Sequence, residues 1–163
     1  MLVKLFPHPG LTALLILVWM LLLNSFTLGG LLIGALLGIL IPALTAVYWP
    51  NRPQIRYGWP ILNYLAIVFF DIVIANFQVA RLILFRRSKD LRSRWLVIPL
   101  ELRSPEAIGT LAGTISLTPG TVTSDIAADG RSLLVHMLDV EDEAWEIARI
   151  KSRYEARLLR IFQ

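Results

Sequence analysis

The chain has 163 residues, of which 56% are hydrophobic and 17% charged, and its formal net charge is +4. Soluble domains usually carry about 25% charged residues, so this composition predicts an integral membrane protein rather than a wholly soluble one. The sequence contains no cysteine, which excludes disulfides, thiolate metal sites and cysteine catalysis. Its two histidines stand far apart, and we predict neither a metal site nor a cofactor.

Two apolar runs fill the N-terminal part of the chain, at residues 11–23 and 28–49, with a short polar link between them. A helix that crosses a bilayer needs roughly 17 to 25 apolar residues. The second run meets this length, whereas the first meets it only by including its flanks. The pattern predicts a helical hairpin over about residues 8–25 and 28–49. Re-entry of the first run halfway through the bilayer is the alternative.

Small residues recur every fourth position in the second run, at Gly30, Gly34, Gly38 and Pro42. This spacing places them on one helix face, where the missing side chains allow another helix to approach closely. We therefore predict that the three glycines form a packing face, and that this face lies against a larger neighbouring subunit.

A third apolar segment, predicted as a spanning helix over about residues 60–85, carries Asp71 in its middle third. A carboxylate at this depth usually pairs, takes up a proton or faces water. Asp71 is therefore a candidate for an ion path or for an intersubunit contact. In the contact reading, its partner would be Asn63, Gln78 or an arginine of another subunit. The chain has no second ionisable group deep in the apolar segments, so it cannot supply a complete transport path.

A basic cluster follows this segment directly, which is where anionic lipid headgroups attract positive charge. Its members are Arg86, Arg87, Lys89, Arg92 and Arg94. We predict that the cluster binds the lipid bilayer and not nucleic acid. The positive-inside rule then places the C-terminal part in the cytoplasm and the N-terminus outside. This assignment leaves Arg52 and Arg56 on the outer side, in conflict with the same rule.

The remainder, residues 95–163, is predicted to be a small cytoplasmic α+β domain of order β-α-β-β-α, after a membrane part over residues 1–94. Pro99 suggests that the first strand lies at an edge. Asp129 and Gly130 predict a hairpin turn, and Asp139 with Asp142 resembles a capping box. The predicted elements are a strand over 95–102, a helix over 104–116, strands over 122–126 and 133–138, and a helix over 139–161.

The loop residues Thr118, Pro119, Gly120 and Thr121 form a motif that occurs in the segment ISLTPGTVTSDI, with LLVHMLDVED following it. In this motif, and along nearly its whole length, the chain resembles the E subunit of the multisubunit Mrp/Mnh-type monovalent cation/proton antiporters. Gly113 and Ser116 stand where members of that family are expected to have Asn and Thr, which argues against ion coordination by this loop.

The resemblance implies a prokaryotic cytoplasmic-membrane complex of different subunits that exchanges Na⁺ or another monovalent cation for H⁺. It implies that this chain is an accessory, non-catalytic subunit and not an enzyme, with other antiporter subunits as its partners. Asp71 would either brace the contact with them or border the cation path. Two further classes remain open from the residues, namely a homo-oligomeric pore lined by Asp71 and a membrane-tethered sensor.

Overall fold

The computed structural model describes residues 9–45, 53, 55–87 and 90–162. The chain divides into two compact units, Met1–Arg52 and Pro53–Gln163. The division predicted from hydropathy lay at residue 94, after the third apolar segment. By its contacts, that segment belongs instead to the C-terminal unit, because its side chains share a core with the sheet domain.

The N-terminal unit contains two apolar helices, α1 (Pro9–Leu23) and α2 (Leu28–Thr45). Asn24 ends α1 with a φ of 48°, a left-handed conformation that asparagine tolerates at helix ends. The side chain of Thr27 then caps α2 by accepting a hydrogen bond from the N–H of Gly30 at 3.1 Å. The outer ends of the predicted hairpin, at residues 8 and 46–49, lie outside the described residues.

The glycine face of α2 lies against α1 of the same chain. A Cβ atom at Gly34 would come within 3.0 Å of Trp19, and one at Gly38 would come within 3.0 Å of Ile16 and of the backbone of Thr12. Within this chain, the glycine face is thus occupied by α1. The short loop places α1 beside α2, so α1 fills the groove that the missing side chains leave.

The C-terminal unit begins with a long apolar helix and continues into a three-stranded antiparallel sheet with helices on one face. Its elements are α3 (Trp59–Phe85), β1 (Arg94–Pro99), α4 (Pro105–Leu117), β2 (Thr121–Ile126), β3 (Ser132–Met137), α5 (Glu143–Ile150), a π-helical turn (Lys151–Glu155) and α6 (Ala156–Ile161). Apolar helices combined with a small sheet domain are the architecture that the sequence predicted.

The sheet has the strand order β1-β3-β2, so β1 lies at an edge. Pro99 is its last residue, as expected of a residue that cannot donate to a ladder. Alternate residues of the central strand β3 are buried, which turns one face of the sheet towards the helices. The core on this face comprises Leu96, Ile98, Leu111, Ile115, Leu133, Val135, Met137, Ile150, Tyr154 and Leu158, together with Tyr64 and Val68 of α3.

The last helical segment starts later than predicted, because its cap is Asp142 and not Asp139. The Asp142 carboxylate accepts hydrogen bonds from the N–H groups of Ala144 and Trp145 at 2.9 and 3.1 Å. Asp139 is instead bonded to Arg86 and Arg92, and Val140 after it is buried in the core. The predicted capping box at Asp139 is therefore wrong.

Candidate functional site at the contact between α3 and the sheet domain

Asp71, the carboxylate singled out in the sequence, is closed off by the C-terminal helical segment of the same chain. Arg153 donates to both of its oxygens at 2.5 Å. The hydroxyl of Tyr154 donates to Oδ2 at 2.8 Å. The Asp71 side chain is 11% exposed. The carboxylate is thus paired and hydrogen-bonded as a buried charge requires, and neither Asn63 nor Gln78 serves as its partner.

Arg153 and Tyr154 both lie in the π-helical turn, a widened turn of the kind that is frequent at functional positions. Burial raises the pKa of the Tyr154 phenol to about 12, and its hydrogen bond to Asp71 acts in the same direction. The hydrogen bond to Asp71 also raises the pKa of Arg153. At neutral pH both groups therefore carry the protons that they donate.

The same turn is fixed to the sheet on its other side by Glu155, which is 1% exposed. Its Oε1 accepts hydrogen bonds from the N–H groups of Glu101 at 2.6 Å and Leu102 at 3.2 Å. Its Oε2 lies 2.9 Å from the ammonium group of Lys151. Glu155 thus joins the turn that holds Asp71 to the segment that follows β1.

A second charged contact ties the C-terminal end of α3 to the end of β3. Arg86 donates to Oδ2 of Asp139. Arg92 donates to Oδ1 through its backbone N–H at 3.1 Å and its Nε at 3.2 Å. These bonds hold the pKa of Asp139 below its usual range. The bond from the Arg92 side chain has the largest effect, followed by those from the Arg92 backbone and from Arg86. Asp139 therefore stays ionised and keeps both arginines in place.

The motif loop lies between these two charged contacts. Gly120 has a φ of 87°, and a Cβ atom there would come within 3.0 Å of Val79 on α3. Thr121 braces the loop by donating its hydroxyl to the carbonyl of Ile115 at 2.5 Å. The carbonyl of Gly120 accepts from the N–H of Leu138 at 2.8 Å. The motif therefore allows the sheet domain to approach α3 closely, a role that sequence reasoning missed.

A cavity of about 140 Å³ lies beside α3 and is bordered by Asp71, the motif loop and Asp139. The structure thus brings together two predicted sets of residues that stand about fifty positions apart in the chain. The residues Arg153, Tyr154 and Glu155, which hold this arrangement, were not predicted as site residues. Tyr154 was recognisable from the sequence only as part of an apolar helical stripe.

The basic cluster is partly neutralised by acids of its own domain. Besides the bonds of Arg86 and Arg92 to Asp139, Arg92 lies 2.6 Å from Glu141, and Arg94 lies 3.9 Å from Glu143. Arg87 is exposed, and Lys89 lies outside the described residues. Contact of this cluster with lipid headgroups stays a prediction.

Replacing Gly120 by valine is expected to lower the stability of the C-terminal unit by roughly 2–4 kcal/mol, because the new side chain would meet both an unfavourable φ and Val79. The melting temperature of the purified chain in mild detergent measures this loss. Gly113→Ala in α4 is the control, since a Cβ atom there meets nothing within 4 Å. Equal melting temperatures for the two variants would contradict the close-approach role of Gly120.

Comparison with known proteins gives a consistent result. Residues 12–161 match the family model described as Na+/H+ ion antiporter subunit. The chain is 29% identical over 159 residues to the probable K(+)/H(+) antiporter E subunit of Rhizobium meliloti (strain 1021), with 97% of this chain and 98% of that protein covered. It is 30% identical over 145 residues to the Na(+)/H(+) antiporter E1 subunit of Staphylococcus haemolyticus (strain JCSC1435), with 89% and 91% covered.

A solved structure resembles the whole chain. It is a chain of the membrane-bound sulfane sulfur reductase, an archaeal respiratory membrane complex, with a TM-score of 0.75 and 25% sequence identity. The match covers 93% of the present chain and 96% of the other. A chain of similar fold therefore occurs in an archaeal respiratory membrane complex.

Proposed function

Because the chain belongs to the Na+/H+ ion antiporter subunit family, we propose that it is an accessory subunit of a multisubunit monovalent cation/proton antiporter. Its relatives are named as E subunits of Na+/H+ and K+/H+ antiporters, which makes this a family of transport proteins rather than of enzymes. We place the complex in a prokaryotic cytoplasmic membrane, with the sheet domain facing the cytoplasm because of the basic residues after α3. Other antiporter subunits and the bilayer are its partners.

The accessory role rests on one observation, which is that the Asp71 carboxylate is already bound by side chains of its own chain. A path for ions through a membrane uses ionisable or polar groups that are free to bind and release the ion. The apolar runs 11–23 and 28–49 contain no charged residue. On α3, the single carboxylate is held by Arg153 and Tyr154. Transport chemistry is therefore assigned to other subunits, and this chain supports their assembly.

Asp71 then acts as a brace within the chain. It fixes the sheet domain on α3, and the exposed surface of the sheet domain is then the part of this unit offered to neighbouring subunits. A homo-oligomeric pore would need Asp71 to face a water-filled axis, whereas here the carboxylate points into its own domain. The hetero-oligomeric relatives also favour the accessory role.

Assembly is tested by extracting the complex in mild detergent through a C-terminal tag and measuring its intact mass. Several different hydrophobic chains that co-purify in fixed ratio would support the accessory role. A particle whose mass is a multiple of 18.4 kDa would instead support the homo-oligomeric pore and overturn the proposal.

The brace is tested by cation-dependent proton exchange in inverted membrane vesicles, normalised to the amount of assembled complex. We expect Asp71→Asn to reduce the amount of assembled complex and to leave exchange per assembled complex within about twofold of the unmodified protein. Asp90→Asn, which changes an exposed carboxylate after α3, is the control. Full assembly with exchange abolished would place Asp71 in the cation path and contradict the brace.

A further inference from the structure

The sheet domain contacts α3 from one end of the helix to the other. Ile55, just before the helix, pairs with Phe162 in an isolated antiparallel bridge. Four further contacts follow along the helix. Tyr64 and Thr114 have their hydroxyls 2.6 Å apart, and Asp71 binds Arg153. Towards the C-terminal end, Val79 lies beside the motif loop at Gly120, and Arg86 pairs with Asp139. The helix is thus fastened along its whole length to a domain that carries many charges.

The length of this contact decides how α3 relates to a bilayer. Tyr64 and Arg86 are 22 positions apart, which corresponds to ~33 Å at 1.5 Å per residue. The hydrocarbon core of a bilayer is ~30 Å thick. If α3 crossed the bilayer, the sheet domain beside it would lie within the hydrocarbon, together with its ion pairs and its exposed polar loops.

Such a placement is excluded by the composition of the domain. Arg153, which contacts the middle of α3 through Asp71, has a side chain that is 36% exposed, and this charge would then lie at the depth of the hydrocarbon. Irregular loops and open sheet edges are not tolerated against lipid, because their backbone groups would lack partners. The strands β1 and β2 are both open edges of the three-stranded sheet. A spanning α3 is therefore incompatible with the packing of its own unit.

We propose that α3 does not cross the membrane but lies in its surface, with the sheet domain on the water side and the opposite helix face in the acyl chains. The exposed side of α3 is mainly apolar, and its exposed polar residues are Asn76, Gln78 and Arg81. Its exposed apolar side chains are Leu62, Leu65, Phe69, Phe70, Val73, Ile74, Phe77, Ile83, Leu84 and Phe85. Asn76, also on the exposed side, satisfies its amide by donating to the carbonyl of Ile72 at 2.8 Å.

The ends of this face carry the groups that favour a lipid headgroup layer over another protein surface. Trp59 is 76% exposed at the start of the helix, and tryptophan is enriched at membrane interfaces. Arg81 and Arg87 are exposed near its end, where their positive charge complements anionic headgroups. An exposed apolar helix side with tryptophan at one end and basic residues at the other complements the headgroup layer of a bilayer.

This placement changes the expected topology. The hairpin of α1 and α2 returns the chain to the side from which it started, whether the two helices cross fully or re-enter. With α3 in the surface, the segment before α3 and the sheet domain after it lie on one side of the membrane. Arg52, Arg56 and the basic cluster then share the cytoplasmic side, which removes the conflict with the positive-inside rule. The proposal thus predicts a cytoplasmic N-terminus, whereas the sequence predicted an outer one.

The sidedness is tested in the native complex with single cysteines, for which the cysteine-free sequence provides a clean background. The first cysteine replaces Tyr57, an exposed residue before α3. The second replaces Asp90, an exposed residue after α3. Both are expected to react with a membrane-impermeant maleimide in inverted vesicles and to be protected in intact cells. Reaction of the two cysteines from opposite sides would overturn the proposal, because it requires α3 to cross.

The occupant of the apolar face is tested by spin labels at Leu62, Phe69, Phe77 and Leu84 in the full chain, inserted into vesicles of phosphatidylethanolamine and phosphatidylglycerol. We expect all four labels to lie at similar depths in the bilayer. Each label should collide more often with oxygen than with a water-soluble nickel chelate. A label on Val97, which is 60% exposed like Leu62, is the matched control and should report water. Labels deepest at Phe69 and Phe77 and shallow at both ends would indicate a spanning helix. Low collision with both reagents would indicate a protein neighbour, and either result contradicts lipid contact.

Discussion

Arg153→Ala is expected to loosen the sheet domain from the middle of α3 and to lower the free energy of unfolding of the C-terminal unit. Removing the guanidinium leaves the Asp71 carboxylate, which is 11% exposed, with only the Tyr154 hydroxyl as a partner. A fully buried broken pair costs roughly 3–5 kcal/mol. Because the Arg153 side chain is 36% exposed, water screens part of the pair, and we expect about 2–3 kcal/mol.

The measurement is unfolding of the purified chain in mild detergent, followed by near-ultraviolet circular dichroism. The double variant Asp71→Ala, Arg153→Ala should lose less stability than the sum of the two single variants, because each single change leaves one charge unpaired. Arg160→Ala, in the same terminal helical segment but exposed, should change little. Additive losses for the two single variants would show that Asp71 and Arg153 do not stabilise each other.

Glu155→Ala is expected to lower the free energy of unfolding more than Arg153→Ala does, by about 3–5 kcal/mol. It removes a buried carboxylate that accepts hydrogen bonds from two backbone N–H groups. It also leaves the Lys151 ammonium with one fewer partner. The segment after β1 would then detach from the π-helical turn. In consequence, the Asp71 contact on the other side of the turn should weaken as well.

Glu101→Gln separates these contributions, since Glu101 also lies 2.9 Å from the Lys151 ammonium but has a side chain that is 66% exposed. An exposed pair of this kind contributes roughly 0–1 kcal/mol. Thermal unfolding of Glu155→Ala, Glu155→Gln and Glu101→Gln should therefore give a large, an intermediate and a small loss. If Glu101→Gln were as damaging as Glu155→Ala, the stabilisation would come from Lys151 and not from the backbone N–H groups.

The local structure of the C-terminal domain was predictable, since its signals lie within short stretches of sequence. Ser104 before Pro105 predicts a helix start, and the structure shows Ser104 as the cap of α4. Asp129 and Gly130 predict the turn between β2 and β3, where Gly130 has a φ of 66°. The helix cap at Asp139 was wrong, because a carboxylate there is equally suited to pairing with Arg86 and Arg92, which are distant in sequence.

The candidate site was only half predictable. Asp71 is conspicuous because a charge in an apolar run needs a reason, but its partner Arg153 stands 82 positions away. In the sequence, Arg153 is one basic residue among several on an amphipathic helix, where a charge is usually solvated. The hydropathy of α3 indicates that the helix contacts an apolar phase, but it does not indicate how the helix is oriented in that phase. Whether a 27-residue apolar helix crosses a bilayer or lies on it depends on what packs against it.

The π-helical turn also determines how the protein responds to alkali. The pKa of Tyr154 is raised to about 12 in the folded state from an ordinary value of 10.0, so the proton is bound more tightly in the folded chain. The resulting stabilisation is fully present below pH 10 and is lost only as the pH rises through about 12. Arg153 also remains charged throughout this interval. The hydrogen bond from Tyr154 to Asp71 is therefore expected to persist at moderately alkaline pH, so this part of the contact between the sheet domain and α3 is alkali-tolerant.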